Sequence, residues 1–360
     1  MKKKIAFYIS ANGRASANRC SVIIETILRM EEETEIFILS AEWVLNLLKV
    51  YLNGEERVHY YIEETDADIC YLEGCGCVDW DATAQQEEAF VEKWDDLIGK
   101  AEVFLAEQGI GLVVSDLCPW ILEAADHLRI RSILISDYTW DQMYEGILEE
   151  DICDAYRECY EMASKVIAYD VHQPEMEHMV DDYELVSLMA RPYNMELIEK
   201  IQREAEKPLV YLQIDAGGSD SIDGLPYIFI NGSNETLEGD NVLVLERFAE
   251  NAHNYIAASD YVIAYPEWDV AASALLSNRK AAYLSREHMI SEEKRVALLK
   301  ERSQCVEISK EDLNDIGGIL KRLDELEYSY DIGYHNDDYD VAKIILNYYP
   351  RKKRRRKDEK

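Results

Sequence analysis

The sequence predicts an α/β protein of two tandem Rossmann-like domains with a cleft between them. Its 360 residues are enough for about two domains. Short apolar runs rich in β-branched residues alternate with amphipathic helical segments along most of the chain. The alternation starts again after Pro192, and strands that are separated by helices pair in parallel.

The first predicted domain covers residues 1–191. Strands are predicted over 4–10, 35–39, 58–62, 69–72, 113–115, 133–135 and 165–169, with an extended segment at 185–189. Helices are predicted over 17–30, 41–52, 87–107, 123–128 and 151–164. In the helix over 87–107 the apolar residues fall on one face, which is typical of a helix that packs on a core.

The second predicted domain covers residues 192–350, because Pro192 disfavours helical backbone at Arg191. Strands are predicted over 209–214, 227–230, 241–245, 261–264 and 281–284. Helices are predicted over 194–206, 247–258, 270–276, 291–302, 311–326 and 339–349. Residues 351–360 are a basic tail that we expect to be disordered, since it has no apolar area to bury.

The charge of the chain is acidic and unevenly distributed. The formal net charge is -34, yet eight of the 38 basic side chains lie in the last ten residues. An acidic body repels a nucleic acid backbone, so we expect no nucleic acid partner for it. Three roles remain open for the tail: a solubilising end, an anchor to anionic lipid headgroups, or a nucleic acid contact.

The location and metal content are predicted from what the sequence lacks. No apolar stretch approaches the roughly 20 residues of a membrane-spanning helix, and the apolar run after Lys4 is too short for a signal peptide. We therefore expect a cytoplasmic protein, with the basic tail as its means of peripheral membrane contact. Cys70, Cys75 and Cys77 lack the spacing of a zinc site, so we expect no metal and no cofactor.

Polar and aromatic residues follow two neighbouring strands of the first domain. Asp116 follows the strand at 113–115, and Asp137 and Trp140 follow the strand at 133–135. The carboxyl ends of parallel strands meet at one edge of a sheet, where ligands bind in open α/β folds. These loops predict one wall of a binding crevice.

The loop after the first strand is a further candidate. Ser10, Asn12 and Gly13 lie between that strand and the first helix. Free amides at a helix N-terminus attract anions, so a phosphate or a sugar could dock there. The alternative interpretation is a plain strand-to-helix turn.

Two loops of the second domain follow strands in the same way. Gly217, Gly218 and Ser219 follow its first strand, and glycines allow a ligand to approach the backbone closely. Glu267 and Trp268 precede a helix, where they either cap and pack that helix or contact a nucleotide base.

At these loops the chain resembles the MurG-like, two-domain (GT-B) glycosyltransferases, and most closely the glycosyltransferase-like domain of L-arabinokinases. The similarity runs from about residue 4 to residue 326. Where the family tends to read Ser-Asp-x-x-Pro and then Ser-Asn-Phe-x-Trp, this chain has Ser115-Asp116-Leu117-Cys118-Pro119 and Ser136-Asp137-Tyr138-Thr139-Trp140. The segment 261–286 aligns with the donor-binding strand, helix and strand of the family.

The resemblance implies a GT-B type fold and a hexosyl or N-acetylhexosaminyl transfer. The donor is a nucleotide sugar, of UDP type by expectation, held by the second domain, and the acceptor lies in the first. Asp116 is the implied base for the acceptor hydroxyl. The other implied positions are, on the acceptor side, Ser10, Asn12, Gly13, Asp137 and Trp140 and, on the donor side, Gly217, Gly218, Ser219, Glu267, Trp268 and Ser273.

Several positions differ from the usual pattern of this family, among them Ala15 for a glycine and Tyr265 for a lysine. Ser16 stands where a histidine is usual in the first loop, Glu267 where a glycine is usual, and Ser273 where a glutamate usually holds the donor ribose. Two alternatives to the transferase therefore remain. One is a non-catalytic descendant that binds a sugar or a partner, and the other is a sugar-modifying enzyme of another class.

Overall fold

The computed structural model describes residues 2–72, 77–214, 222–233, 237, 239–245 and 251–350. It contains two parallel sheets, of seven and six strands, in consecutive parts of the chain. In β1 (Lys3–Ile9), Phe7 packs into one apolar core and the adjacent Tyr8 into another, so both faces of the first sheet are covered. The predicted α/β class with two Rossmann-like units is confirmed.

The first sheet has the strand order β3-β2-β1-β4-β5-β6-β7. After β1, its strands are β2 (Thr34–Ser40), β3 (Val58–Ile62), β4 (Leu112–Asp116), β5 (Arg131–Ser136), β6 (Lys165–Tyr169) and β7 (Tyr183–Val186). Its helices are α1 (Ala15–Met30), α2 (Glu42–Tyr51), α3 (Trp80–Val91), α4 (Trp94–Gln108), α5 (Trp120–His127), α6 (Trp140–Met143) and α7 (Glu150–Glu161).

The second sheet has the strand order β10-β9-β8-β11-β12-β13. Its strands are β8 (Leu209–Gln213), β9 (Ile228–Asn231), β10 (Val242–Val244), β11 (Tyr261–Ala264), β12 (Lys280–Tyr283) and β13 (Cys305–Glu307). The remaining helices are α8 (Met195–Glu204), α9 (Ala252–Ala258), α10 (Trp268–Leu276), α11 (Ile290–Glu301), α12 (Ile316–Glu325) and α13 (Asp338–Tyr348). In the described ranges, no helix combines the length and the apolar character that crossing a bilayer requires.

Some predicted elements differ from the observed ones. The helix predicted over 87–107 is two helices, α3 and α4, because the chain turns at Lys93, whose amide bonds the carbonyl of Phe90. The strand predicted over 69–72 is reduced to an isolated bridge between Tyr71 and Val78. The three-residue strand β13 and the single turn of α6 were not predicted.

The last helix crosses from the second sheet to the first. At the start of α13, Asp338 accepts a hydrogen bond from Thr26 of α1 at 2.7 Å. Just beyond its end, the Tyr349 hydroxyl accepts one from the backbone amide of Lys4 at 3.2 Å. The chain after the second sheet thus stabilises the first, and the division at 191/192 stays a prediction for the domains themselves.

The order of the strands decides where a ligand can reach both sheets. In the first sheet successive strands are added on one side up to β3 and on the other side from β4 onward, so the strand order switches between β1 and β4. In the second sheet it switches in the same way between β8 and β11. At such a switch point the loops diverge and leave a crevice outside the carboxyl ends of the strands. Asn12 and Glu267 lie in the loops after β1 and β11, and Asp116 is the last residue of β4, so these three predicted residues lie at the two switch points. Gly217 follows β8 in the sequence but lies outside the described residues.

Candidate functional site

A cavity of about 870 Å³ lies between the two sheets. The first part of the chain lines it with the loop after β1, with α2, and with residues around α6. The second part lines it with the loop before α10 and the start of α11. Its volume is within the range of about 300 to 1,000 Å³ that is usual for small-molecule sites. The cavity is therefore the candidate site.

The loop after β1 turns at Gly13, whose φ of 90° favours glycine. The side chain of Asn12 fixes this loop, because it donates to the carbonyl of Ala67 at 2.6 Å and accepts from the amide of Ile69 at 3.1 Å. Asn12 and Gly13 line the cavity. Ser10 is fully buried beneath them.

The buried carboxyl group of Asp66 anchors the same loop. Ser10 donates its hydroxyl to Asp66, and the backbone amide of Ala11 donates to the same side chain at 3.0 Å. Burial raises the pKa of Asp66 to about 6, against the opposing effect of these hydrogen bonds. The loop that carries Asn12 and Gly13 is thus held in place by a polar core contact.

Asp116 lies at the end of β4, but its carboxylate is fully buried. Arg19 donates to it from Nε at 2.6 Å, and Ser16, at the position of the expected histidine, donates at 2.8 Å. Burial disfavours the charge on Arg19, yet Asp116 raises the pKa of Arg19 well above its usual value. Asp116 is not among the described residues that line the cavity. This geometry argues against Asp116 as a base, and its catalytic role stays a prediction.

Asp137 joins the two halves of the molecule. It is almost fully buried, and it accepts a hydrogen bond from Arg19 at 3.3 Å and another from Arg295 of α11. Arg19, Asp116, Asp137 and Arg295 are called the interdomain cluster below. Arg19 and Arg295 line the cavity, while Asp137 lies behind them.

A second group of charges lines the cavity on the side of the second sheet. Arg286 follows β12 and forms ion pairs with Glu267, before α10, and with Glu292 of α11. The guanidinium group also stacks on Tyr265 at 4.2 Å from the ring centre. Glu267 further accepts from Gln213 at 3.2 Å, and its side chain is 38% exposed. Arg286, Glu267 and Glu292 are called the cavity cluster below.

Two predicted tryptophans lie at the cavity. Trp140 is buried, lines the cavity and stacks on Tyr144, with ring centres 5.4 Å apart. Trp268 is also buried and lies 4.8 Å from the ring of Tyr169, which belongs to the first sheet. Trp268 therefore packs against the first sheet as well as lining the cavity.

The remaining donor-side predictions lie elsewhere. Ser273 is buried in α10, beside a much smaller hollow, and its carbonyl accepts from the Tyr193 hydroxyl at 2.9 Å. Gly217, Gly218 and Ser219 lie outside the described residues, so their predicted role stays a prediction.

The predicted cysteine cluster is only partly described. Cys70 and Cys77 are partly buried thiols, and Cys75 lies outside the described residues. Within the described part of the chain, no group of three or more histidine, cysteine or acidic side chains could hold a metal ion.

Sequence reasoning missed the arginines of the site and the apolar side chains with which α2 lines the cavity. Arg286 lies two residues after the strand predicted over 281–284, and Glu267 three residues after the strand predicted over 261–264, so both positions carried the same signal. Arg19 lies on the buried face of α1, where an unpaired charge is costly and a carboxylate partner is expected. The wall formed by Trp43 and Val50 of α2 carried no signal beyond helical amphipathicity.

Comparison with known proteins supports the fold. No family model matches the chain, and no curated protein matches its sequence. Among solved structures it is similar to CalG4, the calicheamicin glycosyltransferase, with a TM-score of 0.64 at 10% identity, covering 96% of this chain and 94% of that chain. It is similar to UGT89C1 of Arabidopsis thaliana with a TM-score of 0.65 at 11% identity, covering 96% and 99%.

A third similar structure is SsfS6, a glycosyltransferase of Streptomyces sp. SF2575, with a TM-score of 0.59 at 14% identity, covering 96% of this chain and 99% of that chain. Solved structures of UGT89C1 include complexes with UDP and with UDP-L-rhamnose. At such low identities the likeness concerns the fold and not the reaction. With its two parallel sheets and the cleft between them, the chain has the GT-B fold of these glycosyltransferases.

Proposed function

We propose that the protein binds a nucleotide sugar of UDP type in the cavity and transfers its sugar to an acceptor hydroxyl. The observation that carries the proposal is a cavity at the points where the strand order of both sheets switches, with Arg286 in its lining. A planar guanidinium group binds phosphate oxygens in pairs, and it keeps its charge at any relevant pH. The GT-B fold and the UDP complexes of one similar protein support the choice of ligand.

The donor diphosphate would bind at Arg286, and the contact of Gly217, Gly218 and Ser219 with it stays a prediction, since these residues lie outside the described ones. Strands β8 and β11 lie side by side where the strand order of the second sheet changes direction, and ligands bind at such a point in this fold class. Trp268 and Glu267 border the same space. The similarity to the MurG-like family and to L-arabinokinases remains part of this proposal.

The acceptor would bind along Asn12, Gly13 and Trp140, which line the cavity from the first sheet. For Asp116 and Asp137 we infer a positioning role, since both carboxylates hold Arg19. Ser10 supports the loop from below through Asp66.

A second candidate is a non-catalytic protein that binds a sugar or a partner. One observation favours it: at the position of the family's histidine stands Ser16, whose hydroxyl is bound to the buried Asp116. Neither side chain offers the cavity a free proton acceptor. Binding without turnover would be the mark of this candidate.

Calorimetry separates these functions in two steps. UDP, GDP and TDP and their sugars are titrated into the wild type and into Arg286→Lys, which keeps the charge but loses the paired geometry. We expect micromolar binding of a UDP sugar and about tenfold weaker binding by the variant. Arg322→Lys, at an ion pair with Asp312 outside the cavity, is the control. Absence of binding across all six ligand types would rule out the proposal.

Turnover is measured next, as release of UDP from the bound donor. Release that depends on an added acceptor supports the transferase. Tight binding with no release, over a panel of hydroxylated acceptors, supports the non-catalytic candidate instead.

The basic tail at 351–360 lies outside the described residues, and we propose that it contacts anionic lipid. Co-sedimentation with phosphatidylserine vesicles, with and without the tail, tests this. Equal binding by the full chain and by a chain that ends at Pro350 would contradict it. The cytoplasmic location and the absence of a nucleic acid partner stay predictions.

A further inference from the structure

A buried carboxyl group is linked to the lining of the cavity by two aromatic rings. Glu87 of α3 is 1% exposed, and it accepts one hydrogen bond from the Tyr144 hydroxyl and another from the Tyr156 hydroxyl, each at 2.5 Å. Acidic side chains are almost never fully buried without a partner, and here two hydroxyl groups are the partners. Tyr144 follows α6, and Tyr156 belongs to α7. Glu87 therefore holds α6 and α7 against α3.

Tyr144 connects this contact to the cavity. Its ring stacks on Trp140, with 10° between the ring planes and 5.4 Å between the ring centres. Trp140 lines the cavity, and so does Tyr138, whose ring meets Trp140 edge to face at 5.3 Å. The buried indole nitrogen of Trp140 bonds to none of the described residues, so the position of this ring depends on its ring contacts. Because packed rings leave little free space, a shift of Tyr144 moves the lining of the cavity.

The charge state of Glu87 depends on the groups that face it. Burial raises the pKa of Glu87 to about 7, against the opposing effect of the bonds from Tyr144 and Tyr156. The charges of Asp66 and Asp68, in the loop before α3, raise this pKa further. Burial first, and the charge of Glu87 second, raise the pKa of both tyrosines well above the usual value. Near neutral pH, Glu87 therefore exists in two charge states while both hydroxyl groups keep their protons.

We propose that Glu87 is a positioning residue that sets Trp140 through Tyr144, so that its ionisation decides how firmly this side of the cavity is held. The ionised carboxylate accepts from both hydroxyl groups, and hydrogen bonds to a charged group are about twice as strong as neutral ones. The protonated carboxyl group has lost that charge, so its contact with Tyr144 is weaker. Acid therefore loosens Trp140, and ligand binding in the cavity weakens as the pH falls through about 7.

The pH dependence separates this role from a purely structural one. A carboxyl group with a raised pKa contributes stability that is full below its ordinary value of 4.5 and is lost as the pH rises through about 7. The contribution of Glu87 to the stability of the fold thus falls with rising pH, whereas the contact that holds Trp140 strengthens. A structural group alone would not give opposite pH trends for stability and for the order of the cavity lining.

Tryptophan fluorescence of the full chain, between about pH 5 and pH 8, tests the proposal without any ligand. We expect a transition near pH 7 that is absent from Trp140→Phe, which removes the reporting ring, and from Glu87→Gln, which keeps the shape without the charge. Tyr144→Phe should abolish the transition as well, because it breaks the link. Tyr160→Phe is the matched control, since it deletes another buried hydroxyl, bonded to the carbonyl of Leu117 at 2.7 Å, and should keep the transition.

Calorimetry with UDP-glucose tests the effect on the site, and this step rests on the proposed function. The diphosphate of a nucleotide sugar does not titrate near pH 7, so a change of affinity there comes from the protein. From pH 6 to pH 8 the affinity of the wild type should rise about threefold more than that of Glu87→Gln. Melting temperatures over the same range should show the opposite trend for the contribution of Glu87.

The outcomes of the two experiments are distinguishable. A flat fluorescence profile in the wild type would overturn the proposal, as would a transition that persists in Glu87→Gln or in Tyr144→Phe, or one that Tyr160→Phe also loses. If Glu87→Gln does not fold, Tyr144→Phe decides. The expected transition without UDP-glucose binding at either pH supports the positioning of Trp140 and counts against the proposed function. Binding with the same pH profile in the wild type and in Glu87→Gln overturns this inference alone.

Discussion

Two arginine–carboxylate clusters meet at one cavity, and they differ in how far water reaches them. In the interdomain cluster, all four side chains of Arg19, Asp116, Asp137 and Arg295 are almost fully buried. In the cavity cluster, Arg286 and Glu292 are mostly buried, but Glu267 remains 38% exposed.

The difference in burial assigns different roles. A buried charge that loses its partner stays uncompensated in a medium of low dielectric constant, so such a pair resists exchange. A carboxylate that is partly in water can leave its arginine at a small cost, because water solvates it. The interdomain cluster therefore holds the two sheets together, while the cavity cluster can exchange Glu267 for the anion of a ligand.

The largest effect is expected from Arg19→Met, which leaves Asp116 and Asp137 short of a partner. Breaking a buried pair from one side costs about 3 to 5 kcal/mol, so the free energy of unfolding should fall by that amount. Urea unfolding followed by circular dichroism measures it. Arg29→Met is the control in the same helix, since Arg29 pairs with Asp338 at the surface and should cost less than about 1 kcal/mol. Equal stability of the two variants would contradict a structural role for the interdomain cluster.

A smaller effect is expected from Asp137→Asn, which keeps the shape but removes the charge that Arg295 reaches across the domains. The loss should be about 1.5 to 3 kcal/mol, the usual worth of a hydrogen bond to a charged group. Thermal unfolding measures the loss, and small-angle scattering measures any opening of the cleft. Glu175→Gln is the control, because its pair with Lys294 at 3.2 Å also crosses the domains but is exposed. A greater loss of stability in Glu175→Gln than in Asp137→Asn would show that the exposed pair, and not the buried one, holds the two domains together.

Asp269 is a third carboxylate between the two halves of the molecule, where it accepts a hydrogen bond from the side-chain amide of Asn18 at 3.1 Å. Burial first, and the charge of Glu267 second, raise the pKa of Asp269 from 3.8 to about 6. A raised pKa gives stability that is full below the unfolded value and is lost as the pH rises through about 6.

Between pH 5 and pH 7 the wild type should therefore lose about 1 kcal/mol more stability than Asp269→Asn. Melting temperatures of both proteins across this range measure the difference. Parallel pH profiles would show that Asp269 does not titrate there, and the partial exposure of its side chain would be the reason.

Much of the architecture could be predicted from the sequence because the signals are local. The β-branched runs gave most of the strands, and parallel pairing brought Asn12, Asp116 and Glu267 to the facing edges of the sheets. The break between α3 and α4 was not predicted, since Glu92 caps the end of α3 and Lys93 the start of α4, without a proline or glycine between them.

The chemistry of the site could not be predicted because it depends on distant pairs. Arg19 and Asp116 are separated by 97 residues, and Asp137 and Arg295 by 158. A strand-end aspartate is a candidate base until its partner is known, and here Arg19 occupies it. The same holds for Glu267, which alone would repel a diphosphate but here forms an ion pair with Arg286.

The smallest expected effect, on ligand affinity, tests whether the cavity cluster exchanges its carboxylate. Glu267→Gln keeps the side-chain size and frees Arg286 from one of its two carboxylates, so UDP should bind about threefold tighter. The gain is modest because Glu267 is partly in water, and it should shrink as salt rises. Calorimetry with UDP at low and high salt measures both. Glu175→Gln again serves as the control, since it removes one negative charge away from the cavity. If Glu267→Gln weakens UDP binding instead, Glu267 contacts the ligand favourably. The cavity cluster then keeps its carboxylate when the ligand binds, as the interdomain cluster keeps its own.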